Sequence, residues 1–171
     1  NSETALVLMG YLNSVERMGY ETFAEAAAEA GIDGLILVNL PPEEAEALQR
    51  CLTPRDIDLI FLLAPTTTEA RARAILERAS GFVYYVSLKG TTGAGHIDPE
   101  DVAARLAPLR TMTDLPLAIG FGIRDGETAQ RMAPLGDGVV VGSAIVRRMG
   151  ALPLADQPDD LEGFARSLRH A

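Results

Sequence analysis

Cysteine occurs once, at Cys51, and histidine twice, at His96 and His170, in a chain of 171 residues. A disulfide framework is excluded, and neither histidine has metal-ligand spacing to the other or to Cys51, so no metal site is expected. Cys51 sits at the end of a helical pattern with no His or Asp partner nearby, which reads as a structural thiol rather than a nucleophile. There is no run of 18 apolar residues, and no charged start leading into an apolar stretch and a small-residue cleavage site. Neither a transmembrane helix nor a signal peptide is therefore expected, and the chain reads as cytoplasmic. Basic residues are few and scattered: 15 Lys and Arg stand against 24 Asp and Glu, a net charge of −9. Nucleic acid and anionic membranes are not expected as partners, because both require a basic footprint. An anionic small molecule would have to be held by local backbone dipoles.

With 47% hydrophobic and 23% charged residues, the composition is that of a globular domain long enough to bury a core, and a single domain over residues 1–171 is expected. Short apolar runs at Ala5–Met9, Gly34–Val38, Leu59–Leu63, Phe82–Ser87, Leu117–Ile119 and Gly138–Val141 predict about six strands. Helical patterns lie between them, at Glu21–Ala30, Glu43–Leu52, Glu69–Ala79, Pro99–Leu109 and Glu127–Leu135, and a last one at Leu161–His170. Strands apolar on both faces, in β-then-α order, imply a parallel sheet covered by helices. Either a doubly wound sheet or a (β/α)8 barrel satisfies this pattern. The loop after the first strand, Met9-Gly10-Tyr11-Leu12-Asn13, lacks the glycine fingerprint of a dinucleotide site.

Glycines instead follow the last three strands, in Lys89-Gly90-Thr91-Thr92-Gly93-Ala94-Gly95, Gly120-Phe121-Gly122-Ile123 and Gly142-Ser143-Ala144. Taken singly, each is explained by a tight turn. Placed after consecutive strands near the C-terminal end, they read as a phosphate nest, where bare N–H groups converge on an anion and a Cβ would block the approach. Ser143 adds a hydroxyl donor. Lys89 and Arg124 lie beside these glycines, but each reads equally well as a solvated loop residue.

Several segments, in this order, closely resemble the tryptophan synthase alpha subunit family: Leu8-Met9-Gly10-Tyr11, Asp33-Gly34-Leu35-Ile36, Leu40-Pro41-Pro42-Glu43-Glu44, Phe61 to Thr67, Ser80 to Ser87, Thr92-Gly93-Ala94, Gly120 to Ile123 and Val141 to Val146. The resemblance implies an incomplete (β/α)8 TIM barrel of about six βα units. It also implies a retro-aldol cleavage of indole-3-glycerol phosphate to indole and glyceraldehyde 3-phosphate, with indole passed to a beta subunit that carries pyridoxal phosphate in an alpha2beta2 assembly. No cofactor is implied for the alpha chain itself. Carried over by motif, Gly93, Gly122, Gly142 and Ser143 resemble the phosphate cradle. Leu8, Ile36, Tyr84, Val86, Phe121 and Val140 resemble the indole walls, and Thr92 the loop that closes over substrate.

By the same resemblance, Ala5–Met9 corresponds to the third barrel strand, so the first two strands, with the family's catalytic Glu and Asp, are expected upstream of Asn1. The chemistry calls for two placed carboxylates, yet the predicted strand ends offer none. Asp33, Asp58 and Asp137 precede their strands and read as loop residues at the stability face. No catalytic residue is assigned, and the 171 residues alone are expected to be inactive. Asn39 stands where the family usually has Asp, which affects either substrate orientation or a subunit contact. Ser14 and Thr91 replace common Pro and Val. Three readings follow: a segment of an ordinary alpha subunit, an inactive stand-alone product that binds phosphate or docks to a beta subunit, or another phosphate-binding barrel enzyme. The last lacks its required metal cluster or facing acids. Open strand edges at Ala5–Met9 and Gly138–Val141 predict an isolated chain that is unstable, oligomeric or rearranged.

Overall fold

Four-residue runs such as Gly34-Leu35-Ile36-Leu37, buried at every position, form strands only where both faces are covered. The computed structural model describes residues 4–87, 99–120 and 122–169, which divide into two compact units. The first spans residues up to 63 together with 67–83, and the second spans 64–66 and 84 onward.

In the first unit, β1 (Val7–Gly10), β2 (Gly34–Leu37) and β3 (Asp58–Leu63) pair in parallel in chain order. Helices α1 (Leu12–Met18) and α2 (Tyr20–Glu29) join β1 to β2, α3 (Glu46–Leu52) joins β2 to β3, and α4 (Glu69–Leu76) follows β3. Val15, Ala24, Leu35, Leu48, Leu52, Ile60 and Leu63 are buried here. Each large aliphatic among them contributes roughly 1.5–3 kcal/mol by leaving water. The expected helix Glu43–Leu52 is divided. A 3-10 turn at Pro42–Glu44, with proline at its first position, precedes α3. Asp58 is the first residue of β3 rather than a residue before it.

The second unit holds β4 (Val83–Val86, from Tyr84), α5 (Pro99–Arg110), β5 (Leu117–Gly120), α6 (Gly126–Met132), β6 (Gly138–Val140), α7 (Ser143–Ala151) and α8 (Gln157–Arg169). Strands β5 and β6 are parallel. Helix α6 stops at Met132 and tightens into a 3-10 turn at Ala133–Leu135, because Pro134 has no N–H to continue the α pattern. Helix α8 starts four residues earlier than the sequence predicts, with Pro158 in its first turn, where a missing N–H costs nothing. It packs on α7, where the Arg148 guanidinium lies 4.4 Å from the Phe164 ring centroid and bonds Asp160 at 2.8 Å.

Helices α1 and α7 have no counterpart among the predicted elements. Both begin without a side-chain cap, on Tyr11 and Gly142. The start signal that sequence reading relies on is missing from each. For α1 the substitute comes from afar: Asn39 Oδ1 accepts the Leu12 N–H at 2.8 Å.

Candidate functional site

A parallel strand delivers its chemistry at its C-terminal end, and in the second unit these ends are Ser87, Gly120 and Val140-Val141-Gly142-Ser143. Gly122, two residues past β5, has φ +81°, a conformation that glycine adopts without strain. Gly142 and Ser143 open α7. Gly142 is exposed, has φ −111°, and its missing Cβ would meet no protein atom within 4 Å. Packing therefore does not require glycine here.

The first turn of α7 sets it apart from the other described helices of this unit. Helix α5 has Glu100 and Asp101 in its first turn, α8 has Asp159 and Asp160, and α6 is closed by a capping box in which Asp125 accepts the Thr128 N–H at 2.9 Å. That bond is the largest cause holding the Asp125 carboxyl below its ordinary range. Helix α7 has no acidic residue in its first turn and no side-chain cap. Its leading N–H groups and positive dipole end meet the requirements of a dianion.

One face of this unit carries the bulky groups. Gly120 pairs with Val140, so the two share a face. The Tyr84 ring lies against Gly120 on that face, and a Cβ at Gly120 would overlap its hydroxyl and ring. Val86 follows Tyr84 by two residues and shares its side. Tyr84 is 5% exposed, and burial raises its pKa, so the phenol is neutral. Tyr85 points to the opposite face, toward the charges of Arg105 and Asp101 on α5, and its buried hydroxyl has no hydrogen-bond partner among the described residues.

In the first unit, β1 pairs Leu8 with Leu35 and Met9 with Ile36. Leu8 thus lies on the other face of the sheet from Ile36, with Met9 beside Ile36. Sequence reading did not single out Met9, because alternation along a strand does not reveal its register. A cleft of about 330 Å³ opens at the C-terminal ends of β2 and β3, lined by Val38, Asn39, Phe61 and Arg71 among others. Glu43 pairs with Arg71 there and is held below the usual carboxylate range, first by a backbone hydrogen bond and then by that guanidinium. It is therefore ionised at neutral pH and is no proton donor.

Two acids before the N-terminal strand ends, Asp33 and Asp137, are also engaged. Asp33 accepts the Leu6 N–H at 2.7 Å, and Asp137 accepts the Leu117 N–H at 2.8 Å and an Arg110 N–H at 3.0 Å. Among the described residues, no Asp or Glu stands at a strand's C-terminal end, and no group of three metal-binding side chains occurs. Cys51 donates its thiol to the Ala47 carbonyl within α3, and burial raises its pKa. No described helix is long and apolar enough to cross a membrane. Lys89, Thr92, Gly93, His96, Phe121 and His170 lie outside the described residues.

A model of the tryptophan synthase alpha chain family matches residues 1–167. The chain belongs to the tryptophan synthase alpha chain family. The alpha chain of Thioalkalivibrio sulfidiphilus is 59% identical over 149 residues, covering 87% of this chain and 56% of that relative. That of Marinobacter nauticus is 54% identical over 168 residues, 98% of this chain and 62% of the relative. Among solved structures, the tryptophan synthase alpha chain of Legionella pneumophila superposes with a TM-score of 0.85 at 37% identity, over 99% of this chain and 63% of that one. The tryptophan synthase α2β2 complex of Pyrococcus furiosus gives a TM-score of 0.86 at 32% identity, over 100% of this chain and 69% of that one. The fold class is accordingly the (β/α)8 barrel, of which the described residues of this chain carry six strands with their helices. It spans between 54% and 64% of the length of the curated relatives it matches.

Proposed function

We propose that these residues supply the phosphate-binding part and much of the indole wall of a cytoplasmic tryptophan-biosynthetic lyase. The enzyme cleaves indole-3-glycerol phosphate to indole and glyceraldehyde 3-phosphate and docks to a beta subunit. The observation that carries the reading is the first turn of α7, free of caps and acids behind Gly142 and Ser143, in a chain of this family. In this reading the α7 N–H groups, the Ser143 hydroxyl and the left-handed turn at Gly122 take the phosphate, joined by Gly93. Tyr84, Val86 and Val140 present one apolar face of the second unit to the indole, and Leu8, Ile36 and Phe121 are assigned to the indole wall from the family resemblance alone. Thr92 belongs to the closing loop. A neutral, buried Tyr84 suits an apolar ring.

Cleavage requires protonation at indole C3 and removal of a side-chain hydroxyl proton, which is work for two carboxylates. Those carboxylates lie outside the 171 residues in this reading. The absence of acids at the described strand ends also favours a second reading, in which the 171-residue chain by itself binds phosphate or docks to a beta subunit without cleaving substrate. Calorimetric titration of the full-length protein with glycerol 3-phosphate, alongside an indole-release assay, tests the first. Saturable binding that inhibits turnover is expected, and a folded protein that does not bind glycerol 3-phosphate would overturn it.

A further inference from the structure

Ser87 is buried, at 8% exposure, and lies just past the end of β4. Both of its donors reach the Gly120 carbonyl oxygen, the N–H at 3.0 Å and the Oγ–H at 2.7 Å. The N–H bond alone would serve to join the ends of β4 and β5, as any residue's would. The hydroxyl engages the carbonyl's second lone pair. Gly120 has no Cβ to restrict its rotation, because the Tyr84 ring occupies that space. A doubly held carbonyl restores the lost restriction, since the peptide plane cannot turn without breaking two bonds. That plane sets the direction in which the chain leaves β5 toward Gly122.

We propose that Ser87 is a positioning residue for the phosphate cradle, locking the Gly120 carbonyl so that the turn at Gly122 presents its N–H groups to the anion. The assignment rests on the phosphate reading above. In the full-length protein, Ser87→Ala keeps the N–H bond and removes the hydroxyl, while Ser87→Thr keeps both. Expected for Ser87→Ala is a rise of about five- to tenfold in the dissociation constant for glycerol 3-phosphate, the size of one net hydrogen bond. Amide exchange at Gly122 should accelerate, with β1–β3 unaffected, and Ser87→Thr should restore both to within about twofold of the parent by keeping the donor. A role in stability alone would lower the melting temperature and leave the affinity of the folded protein unchanged. Parental affinity in folded Ser87→Ala, with the parent binding normally, overturns the Ser87 assignment and leaves the phosphate reading standing. A folded parent that does not bind the ligand removes both.

Discussion

The contact between Gly120 and Tyr84 shows how one missing Cβ shapes a surface. Glycine at this position is a matter of space: the Tyr84 ring rests where a methyl group would stand. Gly120→Ala must displace either the ring or the β5 backbone, an overpacking cost of about 1–3 kcal/mol. Urea denaturation of the full-length protein should register that loss, and indole release should fall more than the stability loss explains, because the displaced ring belongs to the proposed indole wall. Tyr84→Leu in the same chain removes the clashing hydroxyl and should recover most of the stability. Equal destabilisation in the single and double variants would show that the clash is not the cause. Nothing in the residue string marked this pair, since residues 36 apart meet only through the pairing of their strands.

At the scale of elements, α7 carries a prediction with two opposite signs. Gly142 has a negative φ and open space around its missing Cβ, so the side chain of Gly142→Asp meets no neighbouring atom at its Cβ. The new carboxylate would set a favourable charge at the positive end of α7, stabilising it by about 0.3–1 kcal/mol. It would also set a negative charge at the proposed phosphate position, and affinity for glycerol 3-phosphate should fall at least tenfold, a loss of about 1.4 kcal/mol or more. A more stable protein with weaker binding is the expected pair of results, read from denaturation and calorimetry. Unchanged affinity would move the anion away from α7.

The same helix shows what was legible in the sequence. The six strands were readable to within two residues at either end, because buried parallel strands are continuous apolar runs. Gly122, Gly142 and Ser143 stood out because glycines after consecutive strands suit either tight turns or an anion nest. Helix α7 was hidden because it starts without Ser, Thr, Asp or Asn as cap, the signal by which a helix start is read. Helix α1 was hidden because its first N–H is satisfied by Asn39, 27 positions away. The register that sets Met9 rather than Leu8 beside Ile36 is likewise a property of pairing, and no composition or periodicity encodes it.

On the scale of the whole molecule, β1 is the decisive element. Its residues Val7 and Met9 are 38% and 53% exposed, Leu6 before it is 52% exposed, and among the described residues it pairs with β2 alone. An apolar strand with a bare edge recruits another chain. The purified 171-residue chain is therefore expected to self-associate, and sedimentation velocity should show species larger than a monomer whose share grows with concentration. Catalysis should fail for a separate reason. General acid–base groups each contribute about 10²- to 10⁴-fold, and the described strand ends present no carboxylate to act in either role. Indole release by the 171-residue chain should thus lie at least four orders of magnitude below that of the full-length protein, about 10⁴-fold if both groups are lost at their minimum effect. Glycerol 3-phosphate should still bind, since Gly122, Gly142 and Ser143 belong to one compact unit of this chain. A monomeric chain that releases indole near the full-length rate would place the acid and base among these 171 residues. Loss of both binding and cleavage in a folded chain would show that the cradle needs more than this unit to form.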